Sequence, residues 1–289
     1  MTAGHAGRIG ELLGGPVTGL RAVGAQHGYR HLTARLADGR RVFVKAAPAG
    51  DETTAEAFAA EANGLRWLAE AGAVPLPEVL GVSHDLLVIE LLPDGKATAR
   101  AAEEFGAGLA RMHAAGADSF GAPWPGYIAS LPLGNTPGTE WGSWYAEQRL
   151  VPYLKKAHDD GALADADLSL VETVVNRIGE LAGPPEPPSR IHGDLWAGNV
   201  LWSGGRGWLI DPAAHGGHRE TDLAMLALFG APHLERIMRG YTGTVPLADG
   251  WRQRVPLHQL HPLLVHACLF GGSYAAGVRA AARAALGGF

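Results

Sequence analysis

The chain has 289 residues, 47% of them hydrophobic, with a net charge of −5 and no long basic run; that fits one large or two small globular domains and argues against a nucleic-acid partner. Its one cysteine, Cys268, excludes an internal disulfide and suits a reducing cytosol, so a cytoplasmic protein is expected. Met1 to Gly10 lack the apolar core of a signal peptide, and no run approaches the roughly 20 apolar residues of a membrane span, so no membrane partner is expected.

Residues 17–46 read as strands joined by turns. Leu32–Leu36 and Arg41–Lys45 flank Ala37-Asp38-Gly39-Arg40, a hairpin signal. In the second of these strands Val42 and Val44 share one face, Phe43 and Lys45 the other. Thr54 to Glu70 has helical periodicity, with Phe58, Ala62, Leu65 and Ala69 on one stripe. Pro75 and Pro77 break the chain. Val79–Val82 and Leu86–Leu92 are strand-like, and Pro93-Asp94-Gly95 ends the second. Strands with one helix suggest a small α+β lobe. Past residue 97 the pattern turns helical: Ala101 to His113 (apolar face Phe105, Leu109, Met112), Glu140 to Leu154, Ala166 to Leu181, then 221–240 and 258–284. The Pro-rich stretch Gly183 to Pro188 could pass for a domain linker, but its place just ahead of residue 192 favours a loop within one domain. Among 13 histidines, His215 and His218 lie three apart, as do His258 and His261. No third ligand follows at a recognisable spacing, so surface or hydrogen-bonding roles are expected rather than zinc.

The most informative stretch is His192-Gly193-Asp194-Leu195-Trp196-Ala197-Gly198-Asn199, followed after the apolar run Trp208-Leu209-Ile210 by Asp211-Pro212-Ala213. A lone His-Gly-Asp triplet says little. The Asp-to-Asn spacing and the strand-terminal Asp together form the pattern of a kinase catalytic loop. Phosphoryl transfer needs a carboxylate to orient the attacking hydroxyl, here Asp194. It also needs oxygen ligands for Mg²⁺ on the phosphates of ATP, here Asn199 and Asp211.

A kinase further needs a strand lysine on the phosphates and a helix glutamate to hold it. Lys45 ends the Val-Phe-Val strand, where such a lysine belongs, although a solvated strand-end lysine reads the same locally. At 100° per residue Glu61 lies roughly 60° from Phe58, at the margin of the apolar stripe, and Glu56 roughly 160° away; Glu61 is the better partner, with Glu56 the alternative. Val23-Gly24-Ala25-Gln26-His27-Gly28-Tyr29 is the candidate phosphate loop, with Gly24, Gln26, His27 and Gly28 at the nucleotide, or else a plain hairpin turn. Leu87 to Leu92 is expected to be the edge strand and hinge, with backbone near Glu90 and Leu92 available to adenine.

Several blocks resemble the fructosamine kinase family, also called ketosamine 3-kinases, within the aminoglycoside phosphotransferase-like kinases. His192–Asn199 is similar to its H-G-D-L-W-x-G-N, and Ile210–Ala213 with Gly217–Met225 to its I-D-P-A and G-H-R-E-x-D-L-A-M. Ile128 to Asn135, Trp144, Arg149-Leu150, Pro262–His266 and Leu269–Gly272 extend the likeness over nearly the whole chain. The resemblance implies a protein-kinase-like two-lobed α+β fold. A small N-terminal antiparallel sheet with one helix would span 1–92, and a larger, mainly helical lobe with the catalytic loop and substrate site would span 93–289. It implies transfer of the γ-phosphate of ATP to the 3-hydroxyl of a ketosamine, a sugar rearranged onto an amine. Elimination of the phosphate then frees the amine, a deglycation.

By the same resemblance Asp194 accepts the hydroxyl proton, Asn199 and Asp211 hold Mg²⁺, His192 supports the loop, and Asp222 hydrogen-bonds it. Trp196 offers the sugar a flat platform or is a core tryptophan; His218 is placed at the substrate, and His266 at the substrate or in the core. The family's run of glycines in the phosphate loop is absent here, as is the redox-sensitive cysteine some relatives carry there, so no such switch is expected. A monomer is expected. The competing readings are an aminoglycoside or other small-molecule kinase and a non-catalytic nucleotide-binding pseudokinase. Residues 250–289 contain no Asp or Glu, which disfavours a polycationic substrate, although acids at 158–167 could contribute. Intact Lys45, Asp194, Asn199 and Asp211 disfavour a pseudokinase.

Overall fold

A computed structural model describes residues 2–26, 28–47 and 52–287. Its N-terminal part is a five-stranded antiparallel sheet. The strands β1 (Val17–Gln26), β2 (Tyr29–Leu36), β3 (Arg41–Ala46), β4 (Val79–Val82) and β5 (Leu86–Glu90) lie in the order β1-β2-β3-β5-β4. Leu87–Leu92 is therefore not the edge: β4 pairs outside β5, which ends at Glu90. Two helices cover the two faces. On one, Val42, Val44 and Ala46 of β3 and Leu86 and Val88 of β5 pack against Ile9 of α1 (Thr2–Leu13). On the other, Leu87 and Ile89 meet Phe58, Ala62 and Leu65 of α2 (Glu52–Ala69). Side chains alternate along a strand, so a strand covered on both faces must be apolar throughout; that is why Leu86–Ile89 is a continuous apolar run. The helix α1 is an addition to the expected single helix. An ion pair between Arg8 and the buried carboxylate of Asp85 ties it to the sheet.

The chain leaves β5 and enters α3 (Ala99–Ala114), whose first turn is capped by Thr98 Oγ1 accepting the Ala101 N–H at 3.1 Å. A short hairpin follows, β6 (Gly126–Ile128) and β7 (Leu131–Leu133). The expected helix 140–154 is α4 (Trp141–Tyr145), a π-helical turn at Ala146–Leu150, and α5 (Val151–Asp159). The next is broken at Arg177 into α6 (Asp165–Asn176) and α7 (Ile178–Leu181). Short strands then frame the catalytic loop: β8 (Ser189–Ile191) pairs with β11 (His215–Gly217), and β9 (Val200–Ser203) with β10 (Arg206–Leu209). The stretch 221–240 is two helices, α8 (Arg219–Phe229) and α9 (Leu234–Thr244), because Gly230 turns at φ 72° and Pro232 cannot continue a helix. The last stretch is α10 (Trp251–Phe270) and α11 (Ala275–Gly287), separated at Gly271 with φ 78°. Residues 183–188 are a loop joining α7 to β8.

Two apolar clusters support this region. Leu109, Leu195, Leu209, Leu223 and Tyr241 lie beneath the catalytic loop; Tyr145, Leu150, Leu257, Leu264 and Val278 fill the helical end. Pro262 inside α10 has no N–H to give the carbonyl of His258. The Tyr145 hydroxyl occupies that gap, a donor 3.1 Å from Leu257 O and 3.3 Å from His258 O, and an acceptor for the His261 N–H at 3.3 Å. The kinked helix is thereby kept satisfied while it presents Pro262, Val265 and His266 to the cavity described below. Among the described residues no helix is long and apolar enough to cross a membrane.

Candidate active site

The loop between β8 and β9 is held from below by one carboxylate. Asp222, in the first turn of α8, accepts the His192 N–H at 2.8 Å and the Gly193 N–H at 2.9 Å. Its Oδ2 also lies 3.0 Å from His113 Nε2, and His113 Nδ1 lies 2.8 Å from the Tyr241 hydroxyl. Burial pushes the Asp222 pKa up, but these bonds and the nearby imidazoles outweigh it and the carboxyl sits below its usual range. The expected tie between Asp222 and the loop is present. Gly193 turns at φ 81°, and a Cβ there would lie 2.3 Å from Ala213 O, so only glycine fits. His192 accepts the Asp194 N–H on Nδ1 at 3.2 Å and so donates from Nε2 to Ile210 O at 2.8 Å. Fully buried and pushed toward neutrality by burial, it braces the loop against the strand end that carries Asp211.

The loop and the sheet bring five predicted residues together. Asn199 Nδ2 donates to Asp194 O at 2.8 Å and to Asp194 Oδ2 at 3.1 Å. Lys45 Nζ donates to Glu61 Oε1 and Oε2 at 2.8 and 2.7 Å and to Asp211 Oδ1 at 3.0 Å. Glu61 is thus the lysine's partner. Glu56 instead accepts a hydrogen bond from Tyr127 of β6. Burial lowers the Lys45 pKa, but Asp211 and Glu61 outweigh it and hold the ammonium charged. Burial raises that of Asp211, but Lys45 wins and the carboxyl stays below its ordinary range. Asp194 has no such cation; burial and the Asp211 charge push it up to about 7.

These groups line a cavity of about 450 Å³ between the sheet and the helical part. Trp196 and His266 also line it, and Gln26 reaches it from the end of β1. A Cβ on Gly198 would strike the Trp196 ring at 2.2 Å, so the indole lies flat over the loop's own turn, 39% exposed. It is not a core tryptophan.

Other predicted residues fall elsewhere. Gly24, Gly28, Glu90 and Leu92 do not line the cavity, and His27 lies outside the described residues. The candidate phosphate loop is a hairpin closed by Gln26 opposite Tyr29, with Gly28 at φ 83° and a bulge near Gly24. His218 is also misplaced by the sequence reading. It is 2% exposed, its Nδ1 accepts the Glu220 N–H at the start of α8, and its ring packs on Trp141. Motif proximity suggested the substrate, but the side chain serves as a helix cap. His218, Glu220 and His258 are close enough to suggest a metal. Arg254 nevertheless takes both Glu220 oxygens, at 2.9 and 2.6 Å, making the cluster a buried ion pair. Tyr29, Trp124, Tyr127, Phe229, Phe270 and Tyr274 line the cavity without having been anticipated. Phe270 stood inside a matched block, but nothing in its spacing announced a cavity.

A five-stranded sheet carrying a lysine–glutamate pair, set above a helical part with an Asp-Asn-Asp constellation, defines a kinase of the protein-kinase-like class that uses ATP on small molecules. Comparison with known proteins narrows the class. The model of the fructosamine kinase family matches residues 18–286, and the chain belongs to that family. It is 35% identical over 226 residues to the "Probable ketoamine kinase" of Klebsiella aerogenes, covering 75% of this chain and 76% of that one. Its fold is similar to that of a "putative fructosamine-3-kinase" from Thermobifida fusca YX-ER1, with a TM-score of 0.94, 52% identity, and coverage of 97% and 98% of the two chains. The macrolide 2'-phosphotransferase MphH of Brachybacterium faecium shares the fold alone, with a TM-score of 0.63 at 21% identity over 99% of this chain and 97% of that one.

Proposed function

We propose that this chain uses ATP to phosphorylate the 3-hydroxyl of small ketosamines, of the fructosamine or ribulosamine type, as a deglycation activity. One observation carries the reading: a complete phosphoryl-transfer constellation opens into a cavity whose lining beyond those residues is largely aromatic and apolar. Asp194 receives the proton of the 3-hydroxyl as the sugar oxygen bonds to the γ-phosphorus and the bond to the bridging oxygen of ADP breaks. A pKa pushed up to about 7 suits a group that must accept a proton near neutrality and return it. Lys45, charged and oriented by Glu61, holds the phosphates. Trp196 carries the sugar ring.

The donor set fits Mg²⁺. Asn199 spends its Nδ2 on Asp194, which fixes the amide and leaves Oδ1 for a cation, and anionic Asp211 adds a hard carboxylate oxygen. Asn199 and Asp211 would hold the Mg²⁺, whose chemistry there would be to neutralise charge on the transferring phosphoryl group. The N-terminal lobe is taken as 1–92 and the C-terminal lobe as 93–289, a division supported by the end of β5 at Glu90. A monomer in the cytoplasm is part of this reading, and the single cysteine, Cys268, suits a reducing compartment.

An aminoglycoside substrate is disfavoured because the acids near residue 160 are engaged elsewhere. Asp159 pairs with Lys155 at 2.7 Å, Asp160 with Lys156 at 2.8 Å, and Asp167 with Arg279 at 2.7 Å. A coupled ATP-consumption assay tests the reading. Ribulosamine- and fructosamine-type adducts should turn over and kanamycin should not; EDTA should abolish activity and Mg²⁺ or Mn²⁺ restore it. Turnover of kanamycin alone, or full activity without a divalent ion, would refute it.

A further inference from the structure

Beyond Asp194 the cavity continues onto a wall that phosphoryl transfer does not use. It is built from the end of α8, the C-terminal half of α10 and the helical turn Gly271–Tyr274 that follows it. His266 sits at its centre, with ring centroids 4.9 Å from Phe229, 5.4 Å from Phe270 and 4.9 Å from Tyr274. Phe270 and Tyr274 are 5.9 Å apart. Large apolar side chains are normally covered, yet Phe229 is 38% and Phe270 57% exposed. Their exposed surface adjoins the cavity they line, together with Val265 and Leu269.

The wall is also uncharged. His266 lies with Nδ1 2.7 Å from Pro262 O, a carbonyl that can only accept, so Nδ1 carries the proton. Burial favours the neutral ring. Among the described lining residues the charged ones are Lys45, Glu61, Asp194 and Asp211, all at the phosphoryl-transfer end. None of Arg252, Arg254, Arg279 and Arg283 lines the cavity, and Arg254 pairs with Glu220 and Arg279 with Asp167. A free amino acid joined to the sugar would bring an α-carboxylate and an α-ammonium against aromatic faces. The ammonium could gain only a cation–π contact, while the carboxylate would face the rings with no partner, and desolvating an unpaired charge is costly.

We propose that the Phe229–His266–Phe270–Tyr274 wall is the subsite for the substituent on the ketosamine nitrogen, and that it selects uncharged apolar substituents, aromatic ones above all, over zwitterionic free amino acids. This rests on the ketosamine kinase reading above and deepens it. The sugar lies on Trp196 with its hydroxyl at Asp194, and the amine side extends along α10. A lysine adduct is accepted through its alkyl chain when the α-groups are blocked, as inside a peptide.

The test compares kcat/KM for ribulosamine adducts of methylamine, benzylamine, Nα-acetyl-lysine amide (through Nε) and free lysine (through Nε). The benzylamine adduct should exceed the methylamine adduct by about tenfold or more, the gain from burying a phenyl ring, and the blocked lysine adduct should exceed the free one. Phe229→Ala and Phe270→Ala should each shrink the benzyl-to-methyl ratio several-fold; a purely structural role would lower both rates and leave the ratio alone. Both side chains are partly exposed, and a thermal melt checks that the variants fold. A free-lysine adduct used as well as the benzylamine adduct, or a ratio unmoved in both variants, would overturn the subsite. Turnover of none of the four adducts would overturn the ketosamine reading itself, and the subsite with it.

Discussion

Asp194 and Asp211 are two carboxylates in one cavity whose surroundings drive them apart. Lys45 at 3.0 Å keeps Asp211 ionised, while burial and that same Asp211 charge push Asp194 up to about 7. Such a split suits the proposed roles: Asp211 holds charge, Asp194 moves a proton. Asp194→Asn keeps the size and can keep the contact to Asn199 but cannot take a proton. It should lower kcat on the order of 10²-fold or more with the KM for ATP nearly unchanged; steady-state kinetics with both substrates varied checks this, and near-normal turnover would contradict the role. The two glutamates of α2 make a second contrast. Glu61→Gln removes the anion that orients Lys45 and should lower kcat or raise the KM for ATP. Glu56→Gln keeps an oxygen for the Tyr127 hydroxyl and should behave as wild type; the reverse pattern would move the lysine's partner. The Lys45–Glu61 pair was legible in the sequence because helical periodicity alone placed Glu61 beside the core and Glu56 away from it. The Tyr127 contact was not, because a three-residue strand has no period to read. His218 shows the opposite failure: it stands in a functional motif, yet its ring caps a helix.

The sheet elements were legible where local signals agree, as at Asp38-Gly39 between β2 and β3 and at the alternation of Val42 and Val44. The helix α1 escaped because its apolar residues, Ile9, Leu12 and Leu13, are few among glycines and alanines and matter only through the sheet they cover. The long helical stretches were found but not their breaks. Gly230 and Gly271 act through positive φ, which glycine allows but does not announce. Least legible was α10, where Pro262 argues against a helix and the compensation comes from Tyr145, more than 100 residues away (|i−j| 112 to Leu257). That compensation is testable. Tyr145→Phe leaves the ring packed on Trp141 but strips the hydroxyl from two buried carbonyls and the His261 N–H. Leaving buried polar groups unpaired costs about 1–3 kcal/mol. Because α10 carries Val265 and His266, the variant should show both a lower denaturant midpoint and a raised KM for the ketosamine, with the KM for ATP less affected. An unchanged midpoint would mean that the gap at Pro262 needs no plug.

At the scale of the molecule the catalytic loop rests on an unusually ionisable interior. His215, His218, His258 and His261 are each at most 3% exposed. Burial lowers the pKa of every one, and neighbouring cations add to it: Arg149 for His215 and His261, Arg254 for His218 and His258. The folded protein keeps these rings neutral where the unfolded chain, with histidines near about 6.5, already binds protons. Below that pH the unfolded state holds more protons, so stability falls as pH falls. Carboxylates continue the trend. Burial opposes ionisation of Glu220, but the His258 ring at 3.3 Å and the bonds from Arg254 win and hold its pKa at about 2. Its contribution is whole above the ordinary glutamate range of about 4.3 and is lost as pH falls through that range toward about 2. The exposed pairs Lys155–Asp159 and Lys156–Asp160 add little in either direction. Asp194, pushed up to about 7, and Glu61, also raised by burial, work the other way below pH 7, because there the folded state holds a proton that the unfolded chain has released; the buried histidines outnumber them. The urea midpoint should therefore decline between pH 6.5 and 5 and drop again below pH 4.5. The sequence shows the 13 histidines but not this behaviour, since His-x-x-His spacings at 215 and 258 look equally like surface residues or ligands until the rings are seen to be enclosed. Replacing one ring gives the discriminating measurement. His261 Nε2 is buried without a hydrogen-bond partner, so His261→Gln removes one proton-binding site from the unfolded chain while keeping a polar side chain. Its midpoint should decline less between pH 6.5 and 5 than that of the parent chain; an equal decline would place the acid sensitivity elsewhere.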